Sequence, residues 1–201
     1  MNHLFYGTRL FYDWLYFATS MSPAYLLFLL QLNKKFNKPF DCTVFGFHVT
    51  IYHWCMLALL VLACLAVLLR SLLYWQFNKG IGDPVLAPQL PHFSKNNLAE
   101  RNGSVIAFLL GTILPAVLVM ENSLVESLAV FIILQFILFV LIKKSSDIFP
   151  NIMLLLLGID LCKTNQGNYL FILAGTDHDA ARVYKIGDPA KSKTYITAYK
   201  K

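Results

Sequence analysis

Side chains that could catalyse a reaction or bind a metal ion are few in this sequence of 201 residues. One local cluster joins acids to a histidine, Asp177-His178-Asp179. Its three members are adjacent in the chain, and no further His, Cys or Glu follows at the spacing of a metal site. A polar turn between two strands is the favoured interpretation. The four cysteines form no C-x-x-C pair, so neither zinc binding nor redox chemistry is predicted.

Catalytic sequence motifs are absent as well. The chain contains no G-x-S-x-G turn, no H-E-x-x-H pair and no glycine-rich phosphate loop. His48 and His53 are five residues apart and share a helix face poorly, so we interpret them as interfacial histidines. We predict that the protein is not an enzyme and has no catalytic, cofactor-binding or metal-binding residues and no cofactor. A membrane enzyme acting on lipid is a less favoured alternative.

The composition indicates an integral membrane protein. Hydrophobic residues make up 57% of the chain and charged residues 14%, whereas soluble domains have roughly 45–50% and about 25%. The apolar residues also gather in long blocks, which excludes a soluble globule, and the aromatic content excludes a disordered chain.

Four apolar blocks have the roughly 17–25 residues that a helix needs to cross a bilayer. They cover residues 14–32, 51–75, 104–120 and 124–142. We therefore predict an all-α membrane bundle of four transmembrane helices over residues 1–142, followed by a C-terminal cytoplasmic segment, 143–201.

The basic residues of the connections predict the orientation of these spans. With both termini in the cytoplasm, seven Lys and Arg lie on the inner side and three on the outer side, which fits the positive-inside rule. The charged residues on the predicted outer side are candidates for sensing. They are Lys34, Lys35, Lys38, Glu121 and Glu126.

A stripe of small side chains runs along the third block. Ala107, Gly111 and Pro115 follow one another at intervals of four residues, and small residues allow helices to approach closely in lipid. We predict this stripe to be a helix-packing or oligomer face, and a hinge at Pro115 is the alternative.

The cytoplasmic segment changes from apolar to β-forming composition. Residues 151–160 begin with an apolar run too short to span, which is predicted to be buried or interfacial. Residues 169–199 contain three short runs rich in Tyr, Ile, Val and Thr, separated by turn signals, and predict a three-stranded meander. A unit of roughly 33 residues is too small to be stable alone. We expect this β appendage to dock on its own helices, on a second copy or on another protein.

The appendage is also basic, and the excess positive charge suits anionic lipid or an acidic partner. Exposed strand edges allow a partner to add a strand. The candidate docking residues are Arg182, Tyr184, Lys185, Lys191, Lys193 and Tyr195.

Polar residues inside the spans would be needed for a conducting pore. Gln135 is the central one, and a hydrogen bond between helices is the favoured interpretation. A small channel or pore-forming effector is therefore the alternative function.

Three stretches together resemble a known family. They are residues 22–28 (Ser-Pro-Ala-Tyr-Leu-Leu-Phe), Glu100-Arg101-Asn102-Gly103 with the span that follows it, and Phe149-Pro150-Asn151 with the strand from Tyr169. Their order and spacing resemble the KwaA family, the membrane subunits of the bacterial Kiwa anti-phage defence system.

This resemblance implies a non-enzymatic sensor and scaffold in the bacterial inner membrane. It implies homo-oligomers such as a tetramer, contact with membrane lipids, and recruitment of a KwaB-like cytosolic subunit that binds DNA. The chain itself is not expected to bind nucleic acid directly.

Overall fold

A computed structural model describes residues 10–44, 46–79, 93, 97–117, 123–173, 180–188 and 190–199. These residues form six helices and seven strands. The helices are α1 (Leu10–Ser20), α2 (Ser22–Lys35), α3 (Ile51–Lys79), α4 (Val105–Val117), α5 (Leu124–Lys144) and α6 (Ile152–Leu156). The strands are β1 (Cys42–Val44), β2 (Phe47–Val49), β3 (Leu98–Arg101), β4 (Ile159–Thr164), β5 (Tyr169–Leu173), β6 (Ala180–Ile186) and β7 (Thr194–Tyr199).

Two helices are long and apolar enough to cross a membrane, α5 and the Ile51–Asn78 portion of α3. The charged residues of α5 lie in its first and last turns. In α3, Arg70 lies about two and a half turns before the C-terminal end, where its long side chain can carry the guanidinium toward the head groups. Ser123 begins α5 because its hydroxyl accepts a 3.1 Å hydrogen bond from the backbone N–H of Glu126. Lys143 and Lys144 lie in its last turn, where they complement the helix dipole.

Helices α1 and α2 together replace the first predicted span. They meet at Met21 with a bend of 52°, and only as a bent pair do they have the length and composition of one span. Pro23 lies at the start of α2, where its missing N–H and its ring prevent a continuous helix.

The predicted fold class, an all-α bundle of four transmembrane helices with a three-stranded appendage, is wrong. Two described helices can span a membrane, or three if the bent pair counts as one. Helix α4 has 13 described residues, about 20 Å at 1.5 Å per residue, which is shorter than the hydrocarbon core. The apolar runs in the sequence did not indicate the break at Met21. They also did not indicate strands β1 to β4.

The main sheet has five strands in the order β3-β4-β5-β7-β6. Strand β7 lies between β5 and β6, parallel to β5 and antiparallel to β6. The predicted meander is therefore wrong, because in a meander β6 would pair with β5. Strand β4 was missed because Ile159-Asp160 belongs to the apolar run predicted as buried or interfacial, and that run is instead helix α6 followed by β4.

The inner face of the sheet packs on one end of the helices. Leu161, Phe171 and Ile196 from the sheet share one core with Tyr16 of α1 and Leu73 of α3. Burial of this apolar face provides most of the driving force for holding the sheet on the helices. A two-stranded hairpin, β1 with β2, lies between α2 and α3 at the opposite end.

Candidate functional site at the junction of the helices and the sheet

The segment from Ile148 to Asn151 joins α5 to α6 and is buried throughout. The carbonyl oxygen of Phe149 accepts a 2.5 Å hydrogen bond from the hydroxyl of Tyr16 on α1. The ring of Tyr16 in turn meets Phe171 of β5 edge to face, with 6.3 Å between the ring centroids. One tyrosine thus links α1, the 148–151 segment and the sheet.

Asn151 makes a second link at the same place. Its side-chain oxygen accepts a 3.1 Å hydrogen bond from the N–H of Leu154 and so begins α6. Its amide nitrogen donates to the carbonyl oxygen of Tyr16 at 3.1 Å and to the hydroxyl of Thr19 at 2.8 Å. Replacing Asn151 would therefore remove two buried contacts with α1 and the cap of α6.

Two glycines allow α4 to approach the same segment. Gly103, just before α4, has a φ of +75°, and a Cβ atom there would overlap the carbonyl oxygen of Ile148. A Cβ atom at Gly111 would lie 2.7 Å from the ring of Phe149. A side chain at either position would push α4 away from the junction.

A polar cluster fixes the edge of the sheet beside α4. The Arg101 guanidinium lies 2.6 Å from the Asp160 carboxylate, which also accepts a 2.7 Å hydrogen bond from the Asn102 amide. The N–H of Leu161 donates to the side-chain oxygen of Asn102 at 2.9 Å. Asn102 has a φ of +58°, a left-handed conformation that asparagine tolerates better than most residues.

Charged and titratable groups surround the junction. Asp13 of α1 is buried and lies 3.1 Å from the Lys143 ammonium at the end of α5. Burial, together with the smaller effects of the Asp147 and Glu100 carboxylates, raises the pKa of Tyr169 to about 12. The Tyr169 hydroxyl therefore stays protonated and donates a 2.6 Å hydrogen bond to the Ser146 carbonyl.

This arrangement connects α1, the 148–151 segment, α4 and the sheet. Within the described ranges, no group of three or more His, Cys, Asp or Glu side chains could hold a metal ion. Its hydrogen bonds join side chains to backbone groups, as at Tyr16 and Phe149, or to other side chains, as at Asn151 and Thr19. The junction therefore holds the helices and the sheet together through buried contacts.

The residues of the predicted stripe of small side chains on α4 differ in their burial. Gly111 is buried against Phe149 of the same chain, whereas Ala107 is exposed on α4. The side chain of Pro115 lies outside the described residues. Whether this stripe contacts a second copy stays a prediction.

The predicted docking residues lie on both faces of the sheet. Tyr184 points inward, where its ring meets Phe77 of α3 with centroids 5.6 Å apart. The Lys185 ammonium lies over the Tyr195 ring, 5.6 Å from its centroid, and Tyr195 contacts Phe93. Further residues are placed as follows: Lys191 is exposed, Lys193 is half-buried, and the side chain of Arg182 lies outside the described residues.

Four of the predicted sensing residues lie at the end remote from the sheet. Lys34, Lys35 and Lys38 are exposed at the end of α2, and Glu126 is exposed at the start of α5. The core between these helix ends contains Phe131 of α5, so the two groups share one end of the molecule. Glu121 lies outside the described residues.

The junction residues themselves were missed by sequence reasoning about function. Gly103 and Asn151 stood in the stretches that carried the family resemblance, but no role followed from their types. Asp13 was the clearest available signal, because a carboxylate directly before an apolar block needs a cationic partner where it is buried.

Comparison with known proteins identifies the family. The family model for the anti-phage protein KwaA matches residues 12–195. No curated protein and no solved structure matches the chain significantly. The match includes α2, the Glu100–Gly103 turn and the 148–151 segment, so the resemblance drawn from those stretches is confirmed. The chain belongs to the KwaA family of anti-phage proteins.

Proposed function

We propose that the protein is a non-enzymatic sensor and scaffold subunit of a bacterial anti-phage defence complex. Membership of the KwaA family implies a role in anti-phage defence, and α3 and α5 are compatible with membrane association. We place the protein in the inner membrane with both termini in the cytoplasm and residues 143–201 on the cytoplasmic side.

The observation that carries the proposal is the buried junction. Tyr16, Phe149 and Asn151 tie the apolar helices to the sheet by hydrogen bonds that no water can replace. A displacement of α1 must move the 148–151 segment or leave buried polar groups unpaired, at about 1–3 kcal/mol each. A signal that shifts the helices therefore reaches the sheet.

The sensing end is the one with the β1–β2 hairpin. The exposed side chains Lys34, Lys35, Lys38 and Glu126 give it a mixed charge with positive excess. Helix α5, with 21 residues, separates this end from the junction by about 30 Å. That distance matches a bilayer, so sensing and response would occur on opposite sides.

The partner end is the sheet. Its small size is no longer an argument for a partner, because its inner face packs on the chain's own helices. The support comes instead from β6, which among the described strands pairs only with β7, and from the basic side chains beside it. We propose that Lys185, Lys191 and Lys193 attract an acidic surface of a KwaB-like cytosolic subunit.

Co-purification tests the docking surface. We expect Lys185→Glu with Lys191→Glu to reduce recovery of the KwaB-like subunit by about tenfold, because reversing both charges replaces attraction to an acidic surface by repulsion, and tenfold corresponds to about 1.4 kcal/mol. The matched control is Lys34→Glu with Lys38→Glu at the far end, which should leave recovery unchanged. Undiminished recovery with the sheet variant would refute this docking surface.

A plaque assay tests the sensing end. Lys34→Glu with Lys38→Glu should reduce protection against phage while the cytosolic subunit still co-purifies. Full protection by this variant would contradict sensing through these side chains.

Ion flux in liposomes distinguishes the scaffold from the alternative, a small channel. The aromatic packing of α2 on α5 argues against a pore between them, since Phe28 and Phe131 stack with centroids 3.8 Å apart. We expect no flux from the purified protein. Flux in the absence of any partner would overturn the scaffold proposal.

A further inference from the structure

A groove runs between α4 and α5 on the outer surface of the helices. It has a volume of about 590 Å³ and reaches from the middle of α4 to the last turn of α5. Gly111 and Phe149 form its floor, because the absent side chain of Gly111 leaves the space in which the Phe149 ring lies. Its apolar walls are formed by Ala107, Leu110, Leu138 and Leu141.

The surface on both sides of the groove is apolar and exposed. On α4, Ile106 is 70% exposed and Leu110 is 61% exposed, and on α5 Phe136 is 63% exposed. Leu141, which lines the groove, is 59% exposed. In a chain whose α5 crosses a bilayer, such a surface faces lipid, so the groove opens toward acyl chains.

One end of the groove is cationic. Lys144 and Ser145 line the end nearest the sheet. Lys144 is exposed, and no described carboxylate forms an ion pair with it, whereas its neighbour Lys143 pairs with Asp13. The groove thus has an apolar trough with a free ammonium at the level where a span ends.

We propose that this groove binds one anionic phospholipid, with an acyl chain along Ala107 and Gly111 and the head-group phosphate at Lys144. The charge complementarity selects a lipid over another apolar occupant, because a phosphate neutralises Lys144 and an apolar helix from a second copy would not. The site depends on α5 crossing the membrane and not on recruitment of a partner. It is separate from the basic surface of the sheet.

Native mass spectrometry of the full chain, purified with equimolar phosphatidylglycerol and phosphatidylcholine of the same acyl chains, tests the proposal. We expect about a fivefold preference for phosphatidylglycerol, since one Lys near the head groups contributes about 1 kcal/mol. Lys144→Gln should abolish the preference, and the control Lys34→Gln should keep it. An unchanged preference in Lys144→Gln would overturn the proposal.

A second variant tests the trough. Ala107 is exposed, so Ala107→Leu fills the groove without an internal clash and should remove the tightly bound lipid. Ala129→Leu, at an exposed position elsewhere on α5, is the matched control and should retain it. If Ala107→Leu changes the oligomeric state and not the number of bound lipids, the groove is a contact between copies and the proposal is wrong. Should Ala107→Leu fail to fold, the result with the surface variant Lys144→Gln decides.

Discussion

The hydroxyl of Tyr16 donates a 2.5 Å hydrogen bond to the carbonyl oxygen of Phe149, 133 residues further along the chain. Both groups are buried, so the bond forms in a low-dielectric environment and has no water to replace it. It joins α1, which forms half of the bent helix pair, to the segment that leads into the sheet. Removing the Tyr16 hydroxyl oxygen should therefore destabilise the junction.

Tyr16→Phe is expected to lower the free energy of unfolding by about 1–3 kcal/mol. The variant keeps the ring contact with Phe171 and leaves the Phe149 carbonyl without its donor. Thermal unfolding in detergent, followed by circular dichroism, measures the effect. Tyr52→Phe is the control, because Tyr52 is 72% exposed on α3. Equal stability of the two variants would show that the Tyr16 hydroxyl contributes nothing to the junction.

Gly103→Ala is expected to destabilise the protein more than Gly158→Ala. Both glycines have left-handed backbones, with φ of +75° and +73°, so both substitutions incur the same conformational strain. Only at Gly103 would the new methyl group overlap another residue, the carbonyl of Ile148, whereas the space at Gly158 is open. The difference should be about 1–3 kcal/mol, the usual cost of overpacking.

Chemical denaturation of the two glycine variants in the same detergent measures this difference. A smaller loss at Gly103 than at Gly158 would contradict the close approach of α4 to the 148–151 segment.

The sequence predicted elements whose signal is local. The α3 and α5 helices follow from long apolar runs. β5 to β7 were visible as runs of β-branched and aromatic residues, such as Tyr169–Leu173. Their order was not visible, because β7 pairs with β5 and not only with its neighbour in sequence, β6.

The features that the sequence did not predict depend on contacts between residues distant in the chain. Leu98–Arg101 carries a glutamate and an arginine and has no strand pattern of its own, yet it pairs with β4, where Arg101 lies opposite Cys162. The roles of Gly103 and Asn151 likewise become clear only when Ile148 and Tyr16 are placed beside them. Local propensity cannot supply such information.

Raising the pH should destabilise the protein through Cys162 of β4. Burial, with a smaller contribution from the Asp160 carboxylate and against the opposing effect of Arg101, raises the pKa of its thiol to about 12. The folded pKa thus lies above the ordinary value of 9.0, so the unfolded chain loses this proton first. The contribution of the protonated Cys162 thiol to the free energy of unfolding is fully present below pH 9 and is lost as the pH rises toward 12.

Between pH 7.5 and pH 10 the wild-type protein should lose about 1 kcal/mol more than Cys162→Ala. Denaturant titrations of both proteins at the two pH values measure this, and tyrosine ionisation cancels because it is common to both. If both proteins lose the same stability, the thiol is not held protonated by the fold.

Replacing Gln135 by leucine should stabilise the protein. Gln135 lies on the buried face of α5 between Phe131 and Phe139, and neither its amide oxygen nor its nitrogen has a hydrogen-bond partner among the described residues. The hydrogen bond between helices predicted from its position in the span is therefore not observed there. An unpaired buried amide costs about 1–3 kcal/mol, so Gln135→Leu should raise the melting temperature by several degrees. Gln31→Leu, at an exposed position on α2, measures the general effect of added apolar surface. The prediction is contradicted if Gln135→Leu, and not Gln31→Leu, melts below the wild type. The amide would then form a stabilising hydrogen bond, for example with a water molecule or a second copy.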